Sequence, residues 1–272
     1  MAETEVDQRY LVSLVGRISG WDNPHEKLRK AFAQDEFVLY SQSILKLGAG
    51  SERRPHFEIF VRLLEEEEQL VPPGSFLPML EYCNLGPTLD RHVVTKLVAT
   101  FGRRQPAQWG VAHVNLCASA FDDRDFCEHV AAELLKAAVP AECLCFEFPG
   151  TLADAPAHAK TLARDLKKIG CRIAVGASES DGVDFAAVGE LQADYLKFGG
   201  GLVRELPDNA VAAAQLKTAA RACRGFHVQT IATHVESAPA LKLLREFGVE
   251  FAQGYGIAKP VPFDTGPVAR AR

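Results

Sequence analysis

No Cys-x-x-Cys pair occurs among the seven cysteines of this 272-residue chain. That spacing marks small zinc sites and thioredoxin-like redox centres, so neither is expected. The thiols at Cys83, Cys117, Cys127, Cys143, Cys145, Cys171 and Cys223 fall mostly in apolar or helical contexts. Such an odd set reads as reduced, buried cysteines of a cytoplasmic protein. Cys143 and Cys145 stand two apart in a strand-like run and are expected to share a face. Long apolar runs are missing too, and none approaches the about 20 residues of a membrane span. Met1-Ala2-Glu3-Thr4-Glu5 is acidic, unlike a secretory signal. Positive charge is not in excess: 30 Lys and Arg against 35 Asp and Glu give a net charge of -5. General attraction to nucleic acid or to an acidic membrane is therefore not expected. Finally, no G-x-G-x-x-G follows a strand, and Gly199-Gly200-Gly201 lacks its spacing, so a dinucleotide-binding fold has no support.

What is present is alternation. At 47% hydrophobic residues the chain can build one large core. Apolar runs of strand length are read at 37–40, 56–63, 110–116, 144–148, 173–175, 195–198, 227–232 and 251–256. Helical patterns are read at 25–33, 76–82 with 88–101, 123–138, 154–169, 208–223 and 239–247, many ended by Gly or Pro. The segment 171–199 reads as strand, glycine-containing loop, short helix and strand, one βαβ unit of a parallel sheet. Eight strands, each but the last followed by helix, predict a closed TIM-like (β/α)8 barrel over residues 26–264. Residues 1–25 form a lead-in helix with apolar positions at 11, 12, 14, 15 and 18. Packing on the domain is its expected role, contact with another protein the alternative. The acidic run at 65–68 reads as a solvated turn, and 265–272 as a loose tail.

Barrels of this kind carry chemistry at the carboxyl ends of their strands. Polar residues inside the apolar runs are Gln42, Glu58, Arg62, His113, Asn115, Glu147, Lys197, Gln229 and Gln253. Glu58, Asn115, Glu147 and Lys197 lie on four different strands, and a barrel brings them together. One buried acid is explained by a structural ion pair; four convergent groups point to a present or former site.

In order along the chain, these residues sit in a set of motifs. Phe57-Glu58-Ile59-Phe60-Val61-Arg62-Leu63 resembles the E-A-L-L-R signature of EAL domains, the cyclic di-GMP phosphodiesterases. Tyr40-Ser41-Gln42 resembles the family's Y-x-Q-P-I, and Pro73 to Glu81 its x-P-x-x-F-x-P-x-x-E. Val114-Asn115-Leu116 resembles V-N-L-S, Phe146-Glu147 the start of E-x-T-E, and Asp194-Tyr195-Leu196-Lys197 resembles D-Y-L-K-I-D. Val235-Glu236 resembles the end of A-E-G-V-E, and Gln253-Gly254-Tyr255 the start of Q-G-Y-x-x-x-x-P. Order and spacing hold from about residue 27 to 263. The resemblance implies a barrel whose first strand runs antiparallel, and two divalent ions held by carboxylates beside a phosphodiester.

Departures from the resemblance fall on the acids. The family's Asp-Asp after the fifth strand falls on Gly176 and Ala177, and the first Glu of A-E-G-V-E on Thr233, with His234 at its Gly. Gly199 stands at the Asp after L-K-I, and Gly150 at the second Glu of E-x-T-E. Mg²⁺ or Mn²⁺ needs hard oxygen ligands, and a two-ion site needs carboxylates to offset the repulsion of two dications. Glu58, Asn115 and Glu147 remain as weak candidates for a single ion. Glu179 and Asp181 on the loop would have to fold back to replace the missing pair. His113 and His234 with Glu58 or Glu147 are a conceivable alternative metal set, though ordinary buried or rim histidines are the plainer reading.

The resulting expectation is a catalytically inactive, EAL-like regulatory domain acting through another protein in bacterial signalling. Two alternatives stand beside it: a cyclic di-GMP receptor without hydrolysis, and an active phosphodiesterase. Glu58, Asn115, Glu147, Lys197 and Glu236 form the vestigial pocket. Gln42, Arg62 and Gln253 are the nucleotide-binding candidates. No cofactor is expected, Mg or Mn entering only with residual activity, and a homodimer is possible.

Overall fold

The closed ring at the centre follows from strand parity. In a strand, successive side chains point to opposite faces. In a barrel, one face meets the helices and the other meets the opposite strands. The computed structural model describes residues 21, 23–48, 54–64, 70–150, 158–176 and 183–263. Its strands are β1 (Phe37–Lys46), β2 (His56–Leu64), β3 (Leu70–Val71), β4 (Val111–Asn115), β5 (Leu144–Phe148), β6 (Arg172–Gly176), β7 (Tyr195–Phe198), β8 (Gln229–Ala232), β9 (Phe251–Ala252) and β10 (Val261–Pro262). The ring runs β1-β2-β4-β5-β6-β7-β8-β9 and returns to β1, with β3 and β10 as short additions on β2 and β1. Pairings from β2 through β9 are parallel, while β1 is antiparallel to both β2 and β9.

Two apolar clusters record the parity. Val114, Phe146, Ile173 and Leu196 point outward into the large core shared with the helices. Val111, Cys145, Ala174, Tyr195, Ile231, Phe251 and Ile44 point inward and fill the barrel floor. Around the ring lie α1 (Pro24–Ala33), α2 (Pro73–Tyr82), α3 (Gly86–Gly102), α4 (Phe126–Ala137), α5 (Ala159–Ile169), α6 (Phe185–Glu190), α7 (Gly200–Glu205), α8 (Ala210–Gly225) and α9 (Ala238–Phe247). Their boundaries have local causes. Asn23, Asp184, Asn209 and Ser237 cap helix starts with side-chain oxygens. Gly170 and Gly248 end α5 and α9 in the left-handed conformation.

Three expectations change. The first strand is longer than the 37–40 read for it: β1 extends to Lys46 and pairs with β2 from Phe37↔Leu63 to Ile44↔His56. A hairpin connection of this kind is what an antiparallel neighbour permits. Cys143 and Cys145 do not share a face, because Cys143 lies in a 3-10 turn before β5 and packs in the outer core. The pattern at 123–138 becomes helix only at Phe126, since residues 118–122 make a separate 3-10 turn. All seven cysteines are free thiols. The lead-in helix, apart from Trp21 and the 23–25 end, lies outside the described residues. So do the acidic run 65–68, Ala177 with the Glu179 and Asp181 loop, and the tail.

The chain after β9 runs tightly against Val235, whose N–H donates to Gln253 O (2.8 Å) while its carbonyl accepts from Gly256 N–H (3.0 Å). A Cβ on Gly254 would collide with the Val235 backbone, whereas one on Gly189 in α6 would meet nothing. Gly254→Ala is therefore expected to cost about 2–3 kcal/mol, and Gly189→Ala to gain about 0.5–1 kcal/mol. Urea midpoints of the two variants check this; equal shifts would contradict the close approach.

Candidate functional site at the barrel mouth

Five strands of the ring, β1, β2, β4, β5 and β7, deliver an inward polar side chain above the floor. β2 brings Glu58, in register with Gln42 of β1. β4 brings Asn115 opposite Glu147 of β5, and β7 brings Lys197 opposite Gly176 of β6. Gln253 follows β9 directly and is buried. The four residues expected to converge do so, and both glutamines join them.

Lys197 is the centre. Its ammonium donates to Glu58 Oε2 at 2.7 Å and also to Glu147 Oε1. Only 6% of the lysine side chain is exposed, against 10% for Glu58 and 15% for Glu147. Glu58 is fully committed: Oε1 accepts from Asn115 Nδ2 at 2.8 Å, and Oε2 also accepts from Gln253 Nε2 at 2.9 Å. The same Nε2 donates to Gln42 Oε1 at 2.9 Å, and Gln42 Nε2 donates to Ala258 O at 2.7 Å. Two acceptors facing one amide nitrogen fix which way Gln253 points.

The charges divide unequally. Burial pushes the Glu58 carboxyl up, but Lys197 and the hydrogen bonds from Asn115 and Gln253 outweigh it, and its pKa falls below the ordinary value. Glu147 goes the other way, to about 7, because burial and the Glu58 charge exceed what Lys197 returns. Burial alone would lower Lys197; Glu147 and Glu58 together raise it, so the ammonium stays charged. The floor thus carries a firm Glu58–Lys197 pair and a Glu147 that holds its proton more tightly than an ordinary carboxyl.

Other sequence candidates separate. His113 is fully buried below this cluster, with Nε2 3.3 Å from His56 Nδ1. Burial, then Lys197, His56 and Arg172, hold it well below the usual histidine range, so it is neutral. Its Nδ1 is 4.0 Å from Glu147 Oε1, too long for a hydrogen bond. His234 instead stands at the rim. A cavity of about 460 Å³ opens above the cluster, lined among others by Arg62, Glu236, Gly176, Gly199, Thr233 and His234. Phe60 and the exposed Tyr255 also line it, and sequence reasoning did not single them out. Phe60 shares the parity of Glu58 and Arg62 on β2, a signal that was available in the alternation. Gln229 does not line this cavity.

The donor set does not fit a pair of divalent ions. Around the cavity, Gly176, Gly199 and Thr233 offer no carboxylate. Thr233 Oγ1 donates to Phe198 O at 2.8 Å, tying its hydroxyl to backbone. Glu58 and Glu147 already share one ammonium. Among the described residues, no group of three His, Cys, Asp or Glu side chains is placed to hold a metal ion.

Because Lys197 has two carboxylate partners, Glu147→Ala leaves it the Glu58 bond and is expected to cost only about 2 kcal/mol. Lys197→Met strands two acids and is expected to cost about 3–5 kcal/mol near pH 8. In the parent, depressed Glu58 contributes stability above its unfolded value near 4.5, lost as pH falls through the lower folded value. Without Lys197, burial raises both acids above their unfolded values, and stability is lost as pH rises. The deficit of Lys197→Met should therefore shrink between about pH 8 and pH 5. Urea unfolding at both values measures it, and a pH-independent deficit would refute the charge assignment.

Comparison with known proteins agrees with this geometry. The EAL domain family matches residues 25–260. The cyclic di-GMP phosphodiesterase PdeB of Shewanella oneidensis is 29% identical over 238 residues, covering 87% of this chain and 28% of that protein. The chain spans less than a third of the length of such curated relatives. Among solved structures, the FimX EAL domain from Pseudomonas aeruginosa bound to c-di-GMP superposes with a TM-score of 0.76 at 25% identity, covering 86% of this chain and 94% of that one. The PaMucR phosphodiesterase in complex with c-di-GMP gives a TM-score of 0.76 at 22% identity over 88% of this chain and 97% of that one, a likeness of fold. With the family match spanning the whole barrel and the mouth built from its motif positions, the chain belongs to the EAL domain family.

Proposed function

We propose that this chain is a regulatory EAL domain that does not hydrolyse cyclic di-GMP and passes its signal through contact with another protein. The observation that carries the reading is the Lys197 ammonium held between Glu58 and Glu147, with no further carboxylate at Gly176, Gly199 or Thr233. Phosphodiester hydrolysis by two metal ions needs anionic ligands to hold the ions and activated water between them. Of the three carboxylates that line this mouth, Glu58 and Glu147 share the Lys197 ammonium and Glu236 stands exposed at the rim. What remains is a rigid barrel whose pocket residues have become mutually satisfied structure. Among the described residues no helix is long and apolar enough to cross a membrane. A cytoplasmic location and self-association are part of the proposal.

A second reading, that the domain binds cyclic di-GMP without cleaving it, is favoured by the cavity itself. It stays open at about 460 Å³, with Arg62, Gln42, Gln253 and Tyr255 on its walls. Arg62 supplies a charge for phosphate, and Tyr255 is 64% exposed, a flat face for a base. Structures of relatives bound to c-di-GMP support it by similarity.

Purified protein incubated with cyclic di-GMP and Mg²⁺ or Mn²⁺ is expected to give no linear product. Turnover that Glu58→Ala abolishes would instead establish an active phosphodiesterase. Gly176→Asp, Ala177→Asp and Thr233→Glu combined should raise Mn²⁺ affinity in calorimetry yet restore at most weak hydrolysis, because groups that act as a unit are not additive. A Cβ at Gly176 has room, its nearest neighbour being Phe148 O at 4.0 Å. Unchanged metal affinity in the triple variant would show that these positions do not face one another.

A further inference from the structure

We propose that His234 is a ligand-contact residue of the mouth cavity, accepting a hydrogen bond through Nε2 from a sugar hydroxyl of a bound cyclic dinucleotide, in binding that needs no divalent cation. The inference rests on the nucleotide-binding reading of this cavity. Three features of the residue carry it.

First, its backbone is unusual. His234 has φ +56°, in the left-handed region that disfavours side chains. A non-glycine residue held there at a pocket rim points to function.

Second, the imidazole is built into place. A Cβ on Gly200 would lie 2.7 Å from His234 Cγ and 2.8 Å from Nδ1, so the ring occupies the space that a side chain at 200 would take. Its tautomer is also set. Thr233 Oγ1 gives its proton to the Phe198 carbonyl at 2.8 Å. That oxygen can then only accept from His234, 3.1 Å away, which puts a hydrogen on Nδ1. Nε2 then carries no hydrogen, and on a residue that lines the cavity it can accept one from a ligand hydroxyl.

Third, the cavity is short of free cations. Lys197 is spent on Glu58 and Glu147. Arg62, which stacks near Phe60 (5.9 Å) and reaches only the Val61 carbonyl at 3.4 Å, is the other cationic side chain of the lining. With the Glu58 charge neutralised, an incoming phosphate meets little net repulsion from the floor. Arg62 is then the cation placed to take the phosphate, and His234 the acceptor for a sugar hydroxyl.

Cyclic di-GMP is titrated into the full chain in EDTA, with the parent, His234→Gly and Gly200→Ala compared by calorimetry. Glycine relieves the left-handed backbone, so His234→Gly should keep or raise the melting temperature. It should nevertheless weaken binding about tenfold, the effect of losing one hydrogen bond. Gly200→Ala keeps the imidazole but displaces it, and should also weaken binding while leaving the fold intact. If the parent binds and both variants bind equally well, His234 has no such role and the nucleotide reading survives. If the parent binds only when Mg²⁺ or Ca²⁺ is added, the cation-free claim fails. If the parent does not bind at all, the nucleotide reading falls and takes this inference with it.

Discussion

One buried ammonium holds the barrel mouth in its present form. Lys197 sits among groups drawn from β2, β4, β5, β7 and the end of β9, far apart in sequence and adjacent only in the ring. A lysine this deeply buried is tolerable only when its charge is matched. Glu58 matches it, and Glu147 contributes a second bond without demanding a second full charge. Asn115 and Gln253 also donate to the Glu58 oxygens, and Gln253 donates in turn to Gln42. Networks of this kind rigidify what they join, and removing one member exposes the rest.

The same arrangement explains why the pocket is poor ground for metal chemistry and fair ground for recognition. A cation pair would have to displace Lys197 from two carboxylates and then find ligands where glycine and threonine stand. An organic anion has no such requirement. It meets a neutralised floor, an arginine on β2, an exposed tyrosine, and a histidine whose ring fills the space beside Gly200. The lining combines small residues at Gly176, Gly199 and Thr233 with one imidazole and three carboxylates.

Below the mouth, the fold needs little explanation beyond parity and closure. Inward positions are mostly apolar on the floor, with His56 and His113 buried among them, and polar above it, while outward positions are mostly apolar. The antiparallel β1 closes the ring by pairing with strands on both sides.

The sequence by itself determined the strand and helix alternation, the barrel, and the identity of the side chains at the mouth. These follow from period-two and helical patterning, which are local properties of the chain. It also located the missing acids, since Gly176 and Thr233 are fixed by counting from the motifs beside them. Phe60 was legible as an inward residue on β2, by its spacing from Glu58. Cys143 was misplaced because a strand-like run does not reveal where a 3-10 turn ends and the ladder begins. Only the tertiary structure decided that Lys197 serves two carboxylates, that His113 sinks beside His56 while His234 stays at the rim, and that Thr233 turns its hydroxyl to the Phe198 carbonyl. Those outcomes depend on distances between strands remote in sequence, and on which neighbour removes water from each charge. No pattern within one segment encodes either quantity.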